Sequence, residues 1–185
     1  MDITEKLFSI LQTVNDWLKF AEAKNAVLLA FCGAGITAMT TYLSAATNID
    51  KSLQIGLIIS ISLLCISSLI SSLSFLPKTD IEHFIWLRTK PKRQSKYKRK
   101  DTDNFYFFND LKKYDPNDLL DSMNRLYFQN QVQTPYRKED LDIANQITIN
   151  SEIASTKFML FRICLWLLIF SIIAIFIFLL ISFLF

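Results

Sequence analysis

The sequence predicts an all-α membrane protein with three transmembrane helices and helical cytoplasmic extensions, assembled as an oligomer. Three observations carry this reading. The 185 residues are 51% hydrophobic with only 3 Gly and 4 Pro, which excludes collagen-like and wholly disordered chains. Charged residues, 20% of the chain, are absent from three apolar blocks and crowded between them. Each block reaches the roughly 20 residues that a helix needs to cross the hydrocarbon core. Buried helices of soluble proteins are rarely apolar all round for that length.

The elements follow in chain order. Residues 1–24 read as a cytoplasmic amphipathic helix, with Ile3, Leu7, Ile10, Val14, Trp17 and Ala21 at three-four spacing and Leu11 and Leu18 widening the stripe. The charged residues here, from Asp2 to Lys24, do not fit a cleavable leader. Their mixed sign favours packing against other cytoplasmic residues over lying on lipid. No Pro or Gly precedes Asn25, so the helix is expected to continue into the first span. Residues 25–76 form a transmembrane hairpin, with spans over 25–46 and 53–76 joined by a short loop. Residues 77–162 form a basic, mainly helical region, and 163–185 form the third span.

Within 77–162 several features stand out. Asp80 to Leu87 suggests a short helix at headgroup level and holds His83, the only histidine. Residues 88–100 contain eight Lys or Arg among thirteen and no acid. That run fits three readings: anionic lipid, a phosphate-bearing ligand, or plain solvation. With Tyr97 as its only aromatic residue, it does not mark a nucleic-acid partner. Residues 104–108 (NFYFF) read as a short strand or anchoring turn that buries Phe105, Phe107 or Phe108. Asp115 is the expected N-cap of a helix, with Pro116 at its first position and Leu119, Leu120, Met123, Leu126 and Tyr127 on its apolar face. Thr134 and Pro135 break the chain. A last cytoplasmic helix should begin near Lys138 and run into the third span.

Lys and Arg set the orientation. The loop 47–52 holds one, Lys51, whereas 77–162 holds 16 against 12 Asp plus Glu. The N-terminus and 77–162 are therefore expected on the cytoplasmic side, with Phe185 at the far face. The spans contain no ionisable Asp, Glu, Lys, Arg or His, which disfavours a proton relay or a charged substrate path. All three cysteines, Cys32, Cys65 and Cys164, lie in spans, with no spacing that suggests zinc. No nucleophile or metal motif marks an enzyme.

Helix association is what remains. Ala26, Ala30, Ala34 and Ala38 recur at i, i+4, with Gly33 and Thr37 beside them, a face suited to close contact. Ser60, Ser67, Ser71 and Ser74 share one face of the second span. They read either as a pore lining in an assembly or as interhelical hydrogen bonders. Ala30, Ala34 and the four serines are the pore or helix-packing candidates. The third span, with Trp166, Phe170, Phe176, Phe178 and Phe183, reads as lipid-facing.

Three segments in order carry a family resemblance. Trp17 leads through Glu22, Ala23 and Lys24 directly into an apolar helix. The aromatic run Asn104-Phe-Tyr-Phe-Phe-Asn-Asp follows the basic stretch. Gln146 to Lys157, with Ile153-Ala154, precedes the last span. Together they resemble the transmembrane effectors of Pycsar and related CBASS antiphage defence systems.

That resemblance implies an effector in the bacterial inner membrane. It would respond to a diffusible nucleotide messenger made by a partner cyclase or nucleotidyltransferase, and then impair the membrane. The activating ligand would be a cyclic nucleotide, with no other cofactor and no metal. In Pycsar the messenger is a cyclic pyrimidine mononucleotide, and in CBASS a cyclic oligonucleotide. Candidate nucleotide-binding or gating residues are Trp17, Glu22, Lys24 and Lys157, with Arg88, Lys92 and Arg93 from the basic run. A Glu22–Lys157 pair fits a resting state, and the alternative, which the residues favour, is that these charges snorkel and anchor the spans. Any pore requires several copies, because three helices are too few to enclose a water path. A membrane scaffold that recruits a partner through its cytoplasmic helices is the competing reading.

Overall fold

A computed structural model describes residues 2–76 and 99–184. Its helices, in order, are α1 (Ile3–Ala45), α2 (Lys51–Leu73), α3 (Phe108–Leu111), α4 (Pro116–Tyr127) and α5 (Lys138–Leu184). No strand occurs among the described residues. Three helices are long and apolar enough to cross a membrane: α1, α2 and α5. The expected short helix at 80–87, His83 and most of the basic run lie outside the described residues. Only Arg99 and Lys100 of that run are described.

Both continuities expected from sequence are present. α1 runs 43 residues and α5 runs 47, because neither contains a Pro to interrupt its hydrogen-bond ladder. The aromatic segment at 104–108 is a turn leading into α3 and not a strand. Phe105 and Phe108 are buried there, while Phe107 is half-buried. Asp115 occupies the N-cap position of α4 with Pro116 in the first turn, but its side chain makes no cap hydrogen bond. Pro116, first in the helix, has no N–H, so the first turn carries one orphan donor fewer.

The chain divides into two compact units. One comprises Met1–Ala21 and Lys78–Lys157, the other Glu22–Pro77 and Phe158–Phe185.

The first, a globular unit, is built around the stripe that Ile3, Leu7, Ile10 and Val14 present along α1. All four are buried, as are Phe105, Leu111, Leu119, Leu120 and Met123. Ile143, Ala144 and Ile147 close the core from α5. In α4, Leu126 and Tyr127 stay exposed, so its apolar face is narrower than the sequence suggests. Polar contacts fix the register between α1 and α5. Asn150 Nδ2 donates to Asn15 Oδ1 at 2.8 Å. Thr4 Oγ1 donates to Asp140 Oδ1 at 2.7 Å, and Arg137 Nε donates to Asp140 Oδ2 at 3.1 Å. Asp140 is 2% exposed, and it lies in the first turn of α5, where the helix dipole favours a carboxylate.

The second, a three-helix unit, packs Leu28, Cys32, Leu64 and Cys164 at its centre. Small residues let the backbones approach, as is common between membrane helices. Gly56 is the closest case. A Cβ added there would lie 2.5 Å from Phe178 Cβ. Phe178 is thus the exception on a largely exposed third span, where Trp166, Phe170, Phe176 and Phe183 are open.

Candidate functional site

Serine hydroxyls stitch the three-helix unit. Ser60 Oγ donates to the Ser171 carbonyl at 2.9 Å, and Ser171 Oγ donates back to the Ser60 carbonyl at 3.2 Å. Two turns further along α2, Ser67 Oγ donates to the Cys164 carbonyl at 3.1 Å. Cys164 Sγ returns a contact to the Ser67 carbonyl at 3.4 Å. Ser71 Oγ donates to the Asn25 carbonyl at 3.0 Å. Ser60, Ser67, Ser71 and Ser74 are all buried within the single chain. Among the described residues Ser74 Oγ has no hydrogen-bond partner. The small-residue face of α1 is the opposite case: Ala26, Ala30, Gly33, Ala34, Thr37 and Ala38 are exposed. A Cβ added at Gly33 would meet nothing within 4 Å.

Trp17 joins two of the segments singled out from sequence. Its indole N–H donates to the Tyr106 carbonyl at 3.3 Å. Its ring lies 6.2 Å from that of Phe107 and 5.6 Å from that of Phe108. The aromatic run is therefore the surface that receives the end of the amphipathic stripe. Lys24 belongs to the three-helix unit, with Nζ 5.9 Å from the Phe158 ring centre and 5.4 Å from that of Phe161. Glu22 is half-buried, and Lys157 is 7% exposed. Arg88, Lys92 and Arg93 lie outside the described residues.

A second cluster anchors the turn before α3. Lys113 Nζ donates to Asp103 Oδ1 at 2.8 Å, and Tyr114 Oη donates to Asp103 Oδ2 at 3.1 Å. Burial, the largest single influence on Asp103, raises its pKa. The bonds from Lys113, the Lys100 N–H and Tyr114 together outweigh burial and hold the carboxyl below its usual value. Burial likewise tends to lower Lys113, but its two carboxylate partners raise it.

Sequence reading missed a polar pocket of about 500 Å³ in the globular unit. It is lined by residues of α4 and of the 128–136 loop and by Arg99. The loop begins where α4 ends in two left-handed residues, Gln129 at φ 52° and Asn130 at φ 62°. Asn tolerates that conformation because its short side chain bonds locally.

Asn124 then fixes the loop. Its Oδ1 accepts from the Val132 N–H, and its Nδ2 donates to the Val132 carbonyl, both at 3.1 Å. Tyr136 Oη donates to Asp121 Oδ1 at 2.9 Å; burial first, and then Asp121, raise the Tyr136 pKa. Two guanidiniums reach the pocket. Arg99 pairs with Asp118, whose hydrogen bond raises the Arg99 pKa. Arg125 pairs with Asp101 at 2.6 Å. The lining thus carries both signs of charge along with neutral amides and hydroxyls. Among the described residues no group of His, Cys, Asp and Glu could hold a metal ion.

With this geometry in place, known proteins give a consistent comparison. The family model described as the Pycsar effector protein domain matches residues 6–184. The Pycsar effector protein RsPycTM of a Rhizobium species is 30% identical over 147 residues, which cover 80% of this chain and 77% of the relative. No solved structure matches the chain.

Proposed function

The chain belongs to the Pycsar effector protein domain family, and from that premise we propose how this antiphage defence effector acts. It responds to a cyclic pyrimidine mononucleotide made by a partner cyclase after infection. It then impairs the bacterial inner membrane by assembling or opening a pore. The N-terminus and 77–162 face the cytoplasm, where the messenger is produced. The observation that carries this reading is the combination of the family match over 6–184 with three helices fit to cross a bilayer.

Three helices are too few to enclose a water path, so the active form is a homo-oligomer. The exposed small-residue face of α1 is the surface along which copies approach each other, since small side chains let helix backbones come close. Lys24 and Lys157 are the gating candidates, placed where charge meets the apolar helices.

Dye release from liposomes carrying the purified protein tests this. Cyclic CMP or cyclic UMP should trigger release, while the linear monophosphates and cyclic oligonucleotides should not. Silence to every nucleotide, from inserted and folded protein, would return the chain to the scaffold reading.

A further inference from the structure

We infer that the pocket between α4 and the 128–136 loop is the receptor site for a single cyclic mononucleotide. The inference rests on the messenger reading above and adds to it the place of binding.

The lining is the first argument. A bare phosphate or a polyphosphate chain calls for cations and N–H donors and is repelled by carboxylates. This pocket instead places Arg99 and Arg125 in one lining with Asp118 and Asp121, together with Ser122, Asn130 and Thr134. A cyclic mononucleotide needs that mixture. Its phosphodiester carries one negative charge, which a guanidinium fork matches. Its ribose hydroxyl is a donor that a carboxylate accepts. Its base edge offers donors and acceptors together, which amide and hydroxyl side chains answer.

Volume is the second argument. The space of about 500 Å³ lies within the usual range for a small-molecule site. A cyclic mononucleotide of about 20 non-hydrogen atoms fits with room to spare, whereas a cyclic dinucleotide has about twice that number.

Preorganisation is the third. Asn124 holds Val132 in both directions, and Tyr136 is tied to Asp121, so the loop wall stands without the ligand. The guanidiniums remain available nonetheless. Arg125 and Asp101 are 53% and 65% exposed, and Arg99 and Asp118 are 38% and 36% exposed. Such exposed pairs hold weakly and exchange readily for a phosphate.

The test is calorimetric titration of the full-length protein in nanodiscs with 3′,5′-cyclic CMP and 3′,5′-cyclic UMP. Wild type should bind at least one of them. Arg125→Ala should weaken binding about tenfold or more, the loss expected for a charge-assisted contact. Ser122→Trp should abolish it by filling the space, and Lys19→Ala, on an exposed stretch of α1, should bind as wild type. Should tryptophan at 122 unfold α4, Arg125→Ala decides alone, because that side chain is half exposed. Wild-type binding that both pocket variants retain would overturn the pocket and leave the messenger reading standing. Wild type that binds neither nucleotide would overturn the messenger reading and the pocket with it.

Discussion

Gly56→Ala tests the packing of the three-helix unit most sharply. The added Cβ would sit 2.5 Å from Phe178 Cβ and 2.8 Å from its Cγ. Ordinary carbon contacts lie at about 3.5–4.0 Å, so the shortfall is about 1 Å. No rotamer change relieves it, because Phe178 Cβ is fixed to the backbone of α5. The two helices must separate, and the reciprocal Ser60–Ser171 bonds nearby lengthen with them. Overpacking of this kind costs about 1–3 kcal/mol, and the rigidity of the contact argues for the upper end. At about 2–4 °C per kcal/mol for a chain of this size, the melting temperature should fall by about 6–12 °C. A thermal melt read by a thiol-reactive dye suits the question, because Cys32 and Cys164 are buried and Cys65 is exposed. With Cys65→Ser as background, dye reaction reports opening of the unit. Gly33→Ala is the control, since its Cβ would meet open space. A Gly56→Ala melt within about 1 °C of the parent, a change well under 1 kcal/mol on the same scale, would refute the close approach of α2 and α5.

Further outcomes are expected at four places in the structure. Asp140→Ala removes a buried carboxylate that binds Thr4 and Arg137, and should destabilise the globular unit by about 2 kcal/mol, judged by hydrogen–deuterium exchange along 3–14. Trp17→Ala, which strips the ring from Phe107 and Phe108, should cost about 3 kcal/mol in the same measurement, the low end for a tryptophan because the ring is half-buried. Acid and alkali should each loosen the 100–114 turn. The depressed Asp103 pKa stabilises above the ordinary carboxyl value of 3.8 and is lost as pH falls below it. The raised Lys113 pKa stabilises below 10.5 and is lost as pH rises past it. Stability of that turn in exchange experiments should therefore be flat between these limits, and a steady slope across neutral pH would contradict the cluster. Ser67→Cys should resist water-borne thiosulfonate reagents in the resting protein, since Ser67 is buried and bonded to the Cys164 carbonyl. Ser67→Ala should cost only about 0.6 kcal/mol, the usual scale for such bonds between membrane helices.

The three apolar helices were legible in the sequence because charge is excluded from long stretches, a signal that survives any detail of packing. The amphipathic stripe of residues 3–14 was legible for a similar reason: its period alone selects the buried face. The pocket was not legible. Its walls come from Arg99, from α4 and from the 128–136 loop, and no short motif spans them. The turn that folds the loop back uses Gln129 and Asn130 in left-handed conformation, with no glycine to announce it. The serines show where periodicity stops informing. Their spacing places them on one face of α2 under either reading, and it leaves open whether that face meets water or another helix. What decides is the partner of each hydroxyl, and Ser60, Ser67 and Ser71 donate to carbonyls of neighbouring helices. A water path lined by those hydroxyls would have to break these bonds first. The exposed small-residue face of α1 makes no such bonds to another helix among the described residues, so the assembly proposed through α1 would leave the serine-stitched chain intact.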